Sequence, residues 1–375
     1  MNALTERSDS LVDLHYDLID GWIKVIKSYK EISAVANCRM LVTGAAGFIG
    51  AFMCRRLLLD GGWDIVGFDN INAYYDPGIK EDRLRMLREV DMDGRFTFIR
   101  GDLTDASLVE RLFAENEFDI VVNLAAQAGV RYSIDNPKAY IDSNLIGFYN
   151  ILEACRNHPV KHLVFASSSS VYGGNEKVPF SEADQVDHPV SLYAATKKSN
   201  ELMAHAYSKL YDIPCTGLRF FTVYGPMGRP DMAYFKFANT LRAGGTIQIY
   251  NMGDCRRDFT YIDDIVEGVM RVAKRAPQDC GTGARYKVYN IGNSEPVQLL
   301  EFVDTLQHVL LEEGVLPEDY DFDAHKELVP MQPGDVVETY ADCSELQRDF
   351  DYQPATKLED GLRAFAKWYR GYYGL

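Results

Sequence analysis

No stretch of about 18 consecutive apolar residues occurs in the 375, so no membrane-spanning helix is expected. No Cys-x-x-Cys pair occurs among the seven scattered cysteines, at 38, 54, 155, 215, 255, 280 and 343, which argues against zinc, any other metal and a redox dithiol. Their odd number fits a reduced, cytosolic setting. Positive charge is in short supply: 39 Lys and Arg face 55 Asp and Glu, for a net charge of −16. Nucleic acid and anionic membrane are therefore not expected partners. A negatively charged small substrate would need its own cluster of Arg or backbone N–H groups. The acidic, polar N-terminus is unlike a secretory signal, and there are no internal repeats or low-complexity tracts. The composition that remains, 47% hydrophobic and 25% charged, is that of a globular chain with room for one large domain or a domain plus a lobe.

Residues 1–39 carry Leu11, Leu14, Leu18, Trp22, Val25 and Tyr29 at helical spacing, which predicts one amphipathic helix. It either packs on the outside of the domain or serves a dimer or partner contact. Met40-Leu41-Val42-Thr43 then reads as a strand running into Gly44-Ala45-Ala46-Gly47-Phe48-Ile49-Gly50 and a helix. Gly44 permits the tight turn, Gly47 lets backbone approach a pyrophosphate, and Gly50 lets the helix sit close to the strand. The helix N-terminus offers free N–H groups to phosphate. Alone, this G-x-x-G-x-x-G turn would serve plain helix–strand packing as well. A second strand ends at Asp69, where a carboxylate accepts ribose hydroxyls and repels a 2′-phosphate, favouring NAD over NADP.

Further apolar strands follow at Arg95–Arg100, Asp119–Leu124, Lys161–Ala166 and Cys215–Phe220, separated by helical patterns at Asp105–Phe113, Tyr140–Asn157 and Tyr193–Tyr211. This alternation predicts an α/β fold with a doubly wound parallel sheet, whose ligands bind beyond the C-terminal strand ends. Asp102, Ala125 and Ala126 fall at such ends: Asp102 to meet an adenine amino group or to cap a turn, the alanines to leave room for cofactor backbone. At the next end stand Ser167 to Ser170, then Tyr193 and Lys197, four apart on one helix face. A phenol is a poor base at neutral pH, and a nearby ammonium brings it toward the working range. With a serine hydroxyl, the trio suits removing an alcohol proton while hydride leaves the same carbon. By itself Tyr-x-x-x-Lys is more often a solvated surface pair.

After Gly225 the pattern changes. Residues 226–232 form a loop, Tyr234–Arg242 a helix, 247–250 a short strand and Cys255–Thr260 a polar loop. A helix at Asp263–Lys274 and a strand at Val288–Ile291 are expected to return to the main sheet. Thus 40–225, with about 255–293, is expected to bind cofactor, while 226–254 and 294–375 form a smaller discontinuous lobe. Arg229, Arg256 and Arg257 bring positive charge to it, unless the last two are solvated.

With these motifs in hand, the chain from about Met40 onward resembles the extended short-chain dehydrogenase/reductase superfamily. Within it, the nucleotide-sugar epimerase branch is nearest, closest of all the UDP-glucuronate 4-epimerases. The runs that carry the likeness are Ala125-Ala126-Gln127-Ala128-Gly129-Val130-Arg131-Tyr132-Ser133, the serines into Val171-Tyr172-Gly173, and Arg219 to Pro226 into Gly228-Arg229-Pro230-Asp231-Met232-Ala233. The resemblance implies an NAD-dependent isomerase: Tyr193 takes the C4 hydroxyl proton as hydride passes to NAD, Ser168 shares that hydrogen bond, and Lys197 lowers the Tyr193 pKa and holds the nicotinamide ribose. The 4-keto sugar turns over and hydride returns to its other face, giving UDP-galacturonate. It adds Phe48, Ile49, Asn70, Leu103, Gln127 and Asn144 to the cofactor contacts. Ser168, Ser169, Ser170 and Thr222 are neutral donors for the sugar carboxylate, where decarboxylases and 4,6-dehydratases carry acids at 169 and 170; a hydroxyl-rich strand end satisfied by nearby backbone is the alternative. Ile249 and Tyr250 meet uridine, Arg257 the diphosphate, with Asp335 and Asp342 opposite and Gln332 where relatives carry a cation. Arg229 reaches either the diphosphate or the sugar, and Arg131 lines the junction or caps a helix. The resemblance also implies a homodimer through a four-helix bundle, built from Asp105–Glu115 or Tyr140–Asn157 with the Tyr193 helix; the location expected from the cysteines is cytoplasmic. The competing readings are a neutral UDP-hexose epimerase, a UDP-glucuronate decarboxylase and a non-catalytic NAD-binding sensor, whose mark would be loss of Tyr193 or Lys197.

Overall fold

Twelve strands occur among the residues described by the computed structural model, which are 38–279, 281–331 and 336–375. They are β1 (Cys38–Thr43), β2 (Trp63–Asp69), β3 (Phe96–Arg100), β4 (Ile120–Asn123), β5 (His162–Ser168), β6 (Cys215–Phe220) and β7 (Thr222–Tyr224). Then come β8 (Ile247–Ile249), β9 (Arg256–Tyr261), β10 (Tyr286–Ile291), β11 (Pro296–Gln298) and β12 (Lys326–Leu328). The principal helices are α1 (Phe48–Asp60), α2 (Pro77–Val90), α3 (Ala106–Asn116), α4 (Gly147–Asn157), α5 (Leu192–Tyr211), α6 (Ala233–Arg242) and α7 (Ile262–Ala273).

Seven strands form one parallel sheet in the order β10-β6-β5-β4-β1-β2-β3. Successive side chains of a strand leave by opposite faces, and both faces are covered. Met40 and Val42 pack with Met53, Leu57 and Val269 of α1 and α7, whereas Leu41, Val66 and Val121 pack with Leu112, Ile151 and Ala204 of α3, α4 and α5. That double burial is why the strands read as continuous apolar runs. The order reverses at β1, which pairs with both β2 and β4. Strand ends diverge there and leave the crevice that a doubly wound sheet offers to ligands. A three-stranded sheet, β11-β9-β7, and a two-stranded pair, β12-β8, lie outside the seven-stranded sheet.

Several boundaries differ from expectation. The helix expected over 1–39 lies outside the described residues, except that Cys38 and Arg39 begin β1. Cys255–Thr260, expected as a polar loop, is largely strand β9, and β9 joins the three-stranded sheet rather than the main one. Its polarity is internal: buried Asp258 accepts the amides of Asn293, Ser294 and Ala341 at 2.8–3.0 Å. The expected strand 247–250 stops at Ile249, because β12 pairs only that far and Asn251 and Met252 turn left-handed. Tyr140–Asn157 is broken by a π-turn, Ile141–Ile146. Helix α2 was not singled out by periodicity; Asp76 caps it and Pro77 occupies its first turn.

Candidate active site

The crevice begins at the glycine turn. Gly44 has φ +72°, and a Cβ there would lie 2.8 Å from the Ala125 nitrogen. A Cβ on Gly50 would come 2.1 Å from the Gly44 carbonyl, so α1 can approach the turn only without one. Phe48, Ile49 and Gly50 open α1, where amides have no intrahelical acceptor. Asp69 ties the turn to the end of β2, accepting from the Ala46 amide at 3.1 Å and the Ile71 amide at 2.8 Å. Beyond it, Asn70 Nδ2 donates to Asp102 at 2.7 Å, and Thr104 donates to the same carboxylate through backbone and hydroxyl. Burial alone would raise the Asp102 pKa; these donors outweigh it and hold the group below the usual range. The turn that no Cβ could enter, the helix amides and the strand-end acid together fit a dinucleotide.

The second half of the crevice lies at the end of β5. Ser168 is the last strand residue; its hydroxyl donates to Ser170 Oγ at 3.1 Å and accepts from the Ser170 amide at 3.2 Å. Ser191 caps α5 through the Ala194 amide, which fixes Tyr193 in the first turn. The Tyr193 phenol is half-buried and lines the same cavity as Ser168. Lys197, 4% exposed, donates to the Ala166 carbonyl at 2.8 Å, and its ammonium lies 6.0 Å from the Tyr193 ring centre. Burial pushes Lys197 down to about 8. Burial raises the Tyr193 pKa; the Ser168 hydroxyl and the Arg229 charge pull it back, and Asp231 adds to the rise. Lys197, expected to act on Tyr193, stands near its ring and holds the end of β5 through the Ala166 carbonyl.

Beneath the serines runs a buried polar lattice. Arg219 of β6 binds Glu201 of α5 through Nε and Nη2 at 2.8 and 2.9 Å, and Ser167 Oγ donates to Glu201 at 2.7 Å. Arg219 also donates to Tyr172 Oη, which donates to Asn290 at 2.6 Å. These bonds pin β5, β6, β10 and α5 together where the serines emerge.

One cavity of about 420 Å³ joins the two halves. Its wall includes Gly44, Gly47, Phe48, Ile49, Gly50, Asp69, Asn70, Asp102, Leu103, Ala125, Ala126 and Gln127 from the first half. From the second come Ser168, Ser169, Ser170, Tyr193, Lys197, Thr222 and Arg229. Other predicted residues stand apart from it. Asn144, brought inward by the π-turn, is buried behind the wall, accepting from the Gln127 amide at 2.8 Å and donating to the Gln127 carbonyl at 3.1 Å and to Thr196 at 3.0 Å. Ile249 is fully buried, and Tyr250 carries the Arg131 guanidinium 5.2 Å from its ring centre. Arg257 donates to the carbonyls of Arg256, Val336 and Val337, so it holds backbone instead of facing the cavity. Asp335 lies outside the described residues. Sequence reasoning missed Tyr74 and Lys80, which line the cavity, and Arg83 and Asp231 behind it. Asp231 stands inside the most telling sequence run; the other three lie in and just before α2, whose many charges obscure its apolar face. Among the described residues no cluster of His, Cys, Asp and Glu could hold a metal ion.

Residues 40–292 match the NAD dependent epimerase/dehydratase family. A Staphylococcus aureus protein named CapI is 49% identical over 346 residues, covering 89% of this chain and 99% of its own. UDP-glucuronate 4-epimerase 3 of Arabidopsis thaliana is 44% identical over 364 residues, 94% of this chain and 81% of its own. Among solved structures, UDP-glucuronic acid 4-epimerase from Bacillus cereus, in complex with UDP-glucuronic acid and NAD, superposes with a TM-score of 0.79 at 32% identity, covering 89% of this chain and all of that one.

Proposed function

The chain belongs to the NAD dependent epimerase/dehydratase family, and on that footing we propose that it is a UDP-glucuronate 4-epimerase that uses NAD to interconvert UDP-glucuronate and UDP-galacturonate. One observation carries the choice within the family. Ser168, Ser169, Ser170 and Thr222 share a cavity with Tyr193 and Lys197, and among the described residues the only carboxylates on its wall are Asp69 and Asp102, at the ends of β2 and just past β3. The part of the wall that would meet the sugar is therefore hydroxylic and free of acid. A catalytic carboxylate for elimination is absent there, and nothing repels the sugar's own carboxylate.

The turn from Gly44 to Gly50 holds the pyrophosphate, Asp69 and Asn70 the adenosine ribose, and Asp102 and Leu103 the adenine. Ala125, Ala126 and Gln127 take the far end, with Asn144 acting through Gln127. The chemistry that NAD supplies when bound is reversible acceptance of hydride from a carbinol carbon. Tyr193 accepts the C4 hydroxyl proton, Ser168 shares the hydrogen bond to that oxygen, and Lys197 reaches the nicotinamide ribose. The 4-keto sugar is a β-keto acid and loses carbon dioxide if its carboxylate bond stands perpendicular to the ketone. Ser169, Ser170 and Thr222 hold the carboxylate out of that orientation, and Arg229, already paired with Asp231, offers its remaining N–H donors beside it. Residues 226–254 and 294–375 form the lobe that receives the nucleotide.

Exposed apolar side chains on α4, α5 and the adjoining π-turn (Ile141, Ile146, Tyr149, Leu202, Leu210 and Tyr211) support a homodimer through these helices. The six described cysteines are buried free thiols, which supports a cytoplasmic setting. The deciding experiment is incubation with UDP-glucuronate and no added NAD, followed by chromatography and mass spectrometry. A product of unchanged mass that co-elutes with UDP-galacturonate is expected; a UDP-pentose would mean a decarboxylase, and a strong preference for UDP-glucose a neutral-sugar epimerase.

A further inference from the structure

Two polar ties fasten the loop 227–232 to the cofactor side of the cavity, the second of them ending on Arg229. The first is Arg83 of α2, which is fully buried. Its guanidinium donates to the Met227 carbonyl at 3.0 and 2.7 Å, to the Gly228 carbonyl at 3.1 Å, to the Ala46 carbonyl in the glycine turn at 3.0 Å and to Tyr75 Oη at 2.8 Å. Every one of these acceptors is neutral. The second tie starts at Tyr74, in the segment that follows Asp69. Tyr74 Oη donates to Asp231 at 3.0 Å, and Asp231 grips Arg229 through two bonds at 3.0 and 2.5 Å. Gly228 sits so tightly in this packing that a Cβ would fall 1.6 Å from Tyr234 Oη.

Arg229 and Met232 of this loop line the cavity together with Gly47, Phe48 and Tyr74. The loop therefore forms one wall while being stapled to the turn that forms another. Drawing it aside would strip a buried guanidinium of its acceptors and break a charge-assisted chain at the same time. The Arg229–Asp231 pair is neutral as a whole, whereas Arg83 keeps its positive charge uncompensated by its own acceptors, beside a turn fitted to a diphosphate.

We propose that residues 227–232 are a strap that keeps the dinucleotide in its cavity throughout the catalytic cycle, with Arg83, Tyr74 and Asp231 as the positioning residues that fasten it. The proposal rests on the epimerase reading only in that a catalyst returning the hydride it removes gains from never releasing its cofactor.

The test uses Tyr74→Phe and Arg83→Lys in the full chain, with NAD as the probe. Release of bound NAD is timed without any sugar present, and turnover of UDP-glucuronate is then measured with and without added NAD. Each variant should release NAD about tenfold faster than the parent, the worth of one charge-assisted hydrogen bond, and should recover turnover when NAD is added. Release at the parental rate would overturn the proposal, as would a loss of turnover that added NAD does not restore, since that marks a merely structural defect. Arg83→Met should release NAD fastest; if it does not fold, the two milder variants decide. Product identity is a separate measurement, so the epimerase reading can fail while the release comparison stands.

Discussion

Tyr193 sits between opposing influences: burial works against the phenolate, while a serine hydroxyl and a guanidinium favour it. Tyr193→Phe keeps the ring and removes the oxygen, so it should abolish turnover while NAD remains bound, as read by absorbance of nucleotide released on denaturation. The hydroxyls that face the carboxylate should act differently. Ser170→Ala or Thr222→Ala removes one donor to an anion, and about tenfold more UDP-pentose relative to UDP-galacturonate is expected by chromatography. Lys197 gives a pH signature. Folding lowers its pKa from 10.5 to about 8. Between those values the unfolded chain binds the extra proton, so stability climbs as pH rises from 8 toward 10.5, and below 8 the cost of burying the ammonium, roughly 3 kcal/mol, is fully present. Lys197→Met should flatten that rise in urea denaturation curves, match or exceed the parent in stability at pH 7, and lose turnover.

Elements differed in how plainly they could be read. The strands of the main sheet lie within two residues of their expected bounds because burial on both faces makes them apolar throughout. The glycine turn, Asp69 and the serines were legible because each falls at a strand end, and Tyr193 because Lys197 follows it four residues on along one helix face; all of them line one cavity. Strand β9 was hidden by Asp258, a buried acid satisfied by distant amides that no local pattern reports. Helix α2 was hidden by its charges, and with it Lys80 and Arg83. The π-turn was invisible because one extra residue per turn leaves no trace in a short periodic pattern. Arg257, expected at a phosphate, spends donors on the carbonyls of Val336 and Val337. At this scale the Glu201–Arg219 pair offers a test, since it joins α5 to β6 with both side chains at most 4% exposed. Glu201→Gln leaves a buried guanidinium without its counter-charge and should cost about 3 kcal/mol in chemical denaturation.

Across the whole molecule, the doubly wound sheet brings both halves of the cavity to one edge, and α4 and α5 turn apolar side chains outward on the opposite side from α1 and α7. Leu202, 59% exposed on α5, is the sharpest probe of the proposed dimer. Leu202→Glu places two like charges against each other in a two-fold interface and should shift sedimentation from dimer to monomer, with the far-ultraviolet circular dichroism unchanged. For the proposed anionic sugar nucleotide, the acidic surface is offset locally by Lys80 and Lys197 on the cavity wall.

Ser169 and Ser170 ride on a single 3₁₀ turn, and Thr222 opens a three-residue strand. None of the three belongs to the seven-stranded sheet, and each is only half-buried. Exchanging them for other small polar side chains would therefore leave the core intact while redirecting the fate of the ketone. An ancestor could pass from isomerisation to carbon loss or dehydration through a few point changes, none of which threatens survival of the scaffold.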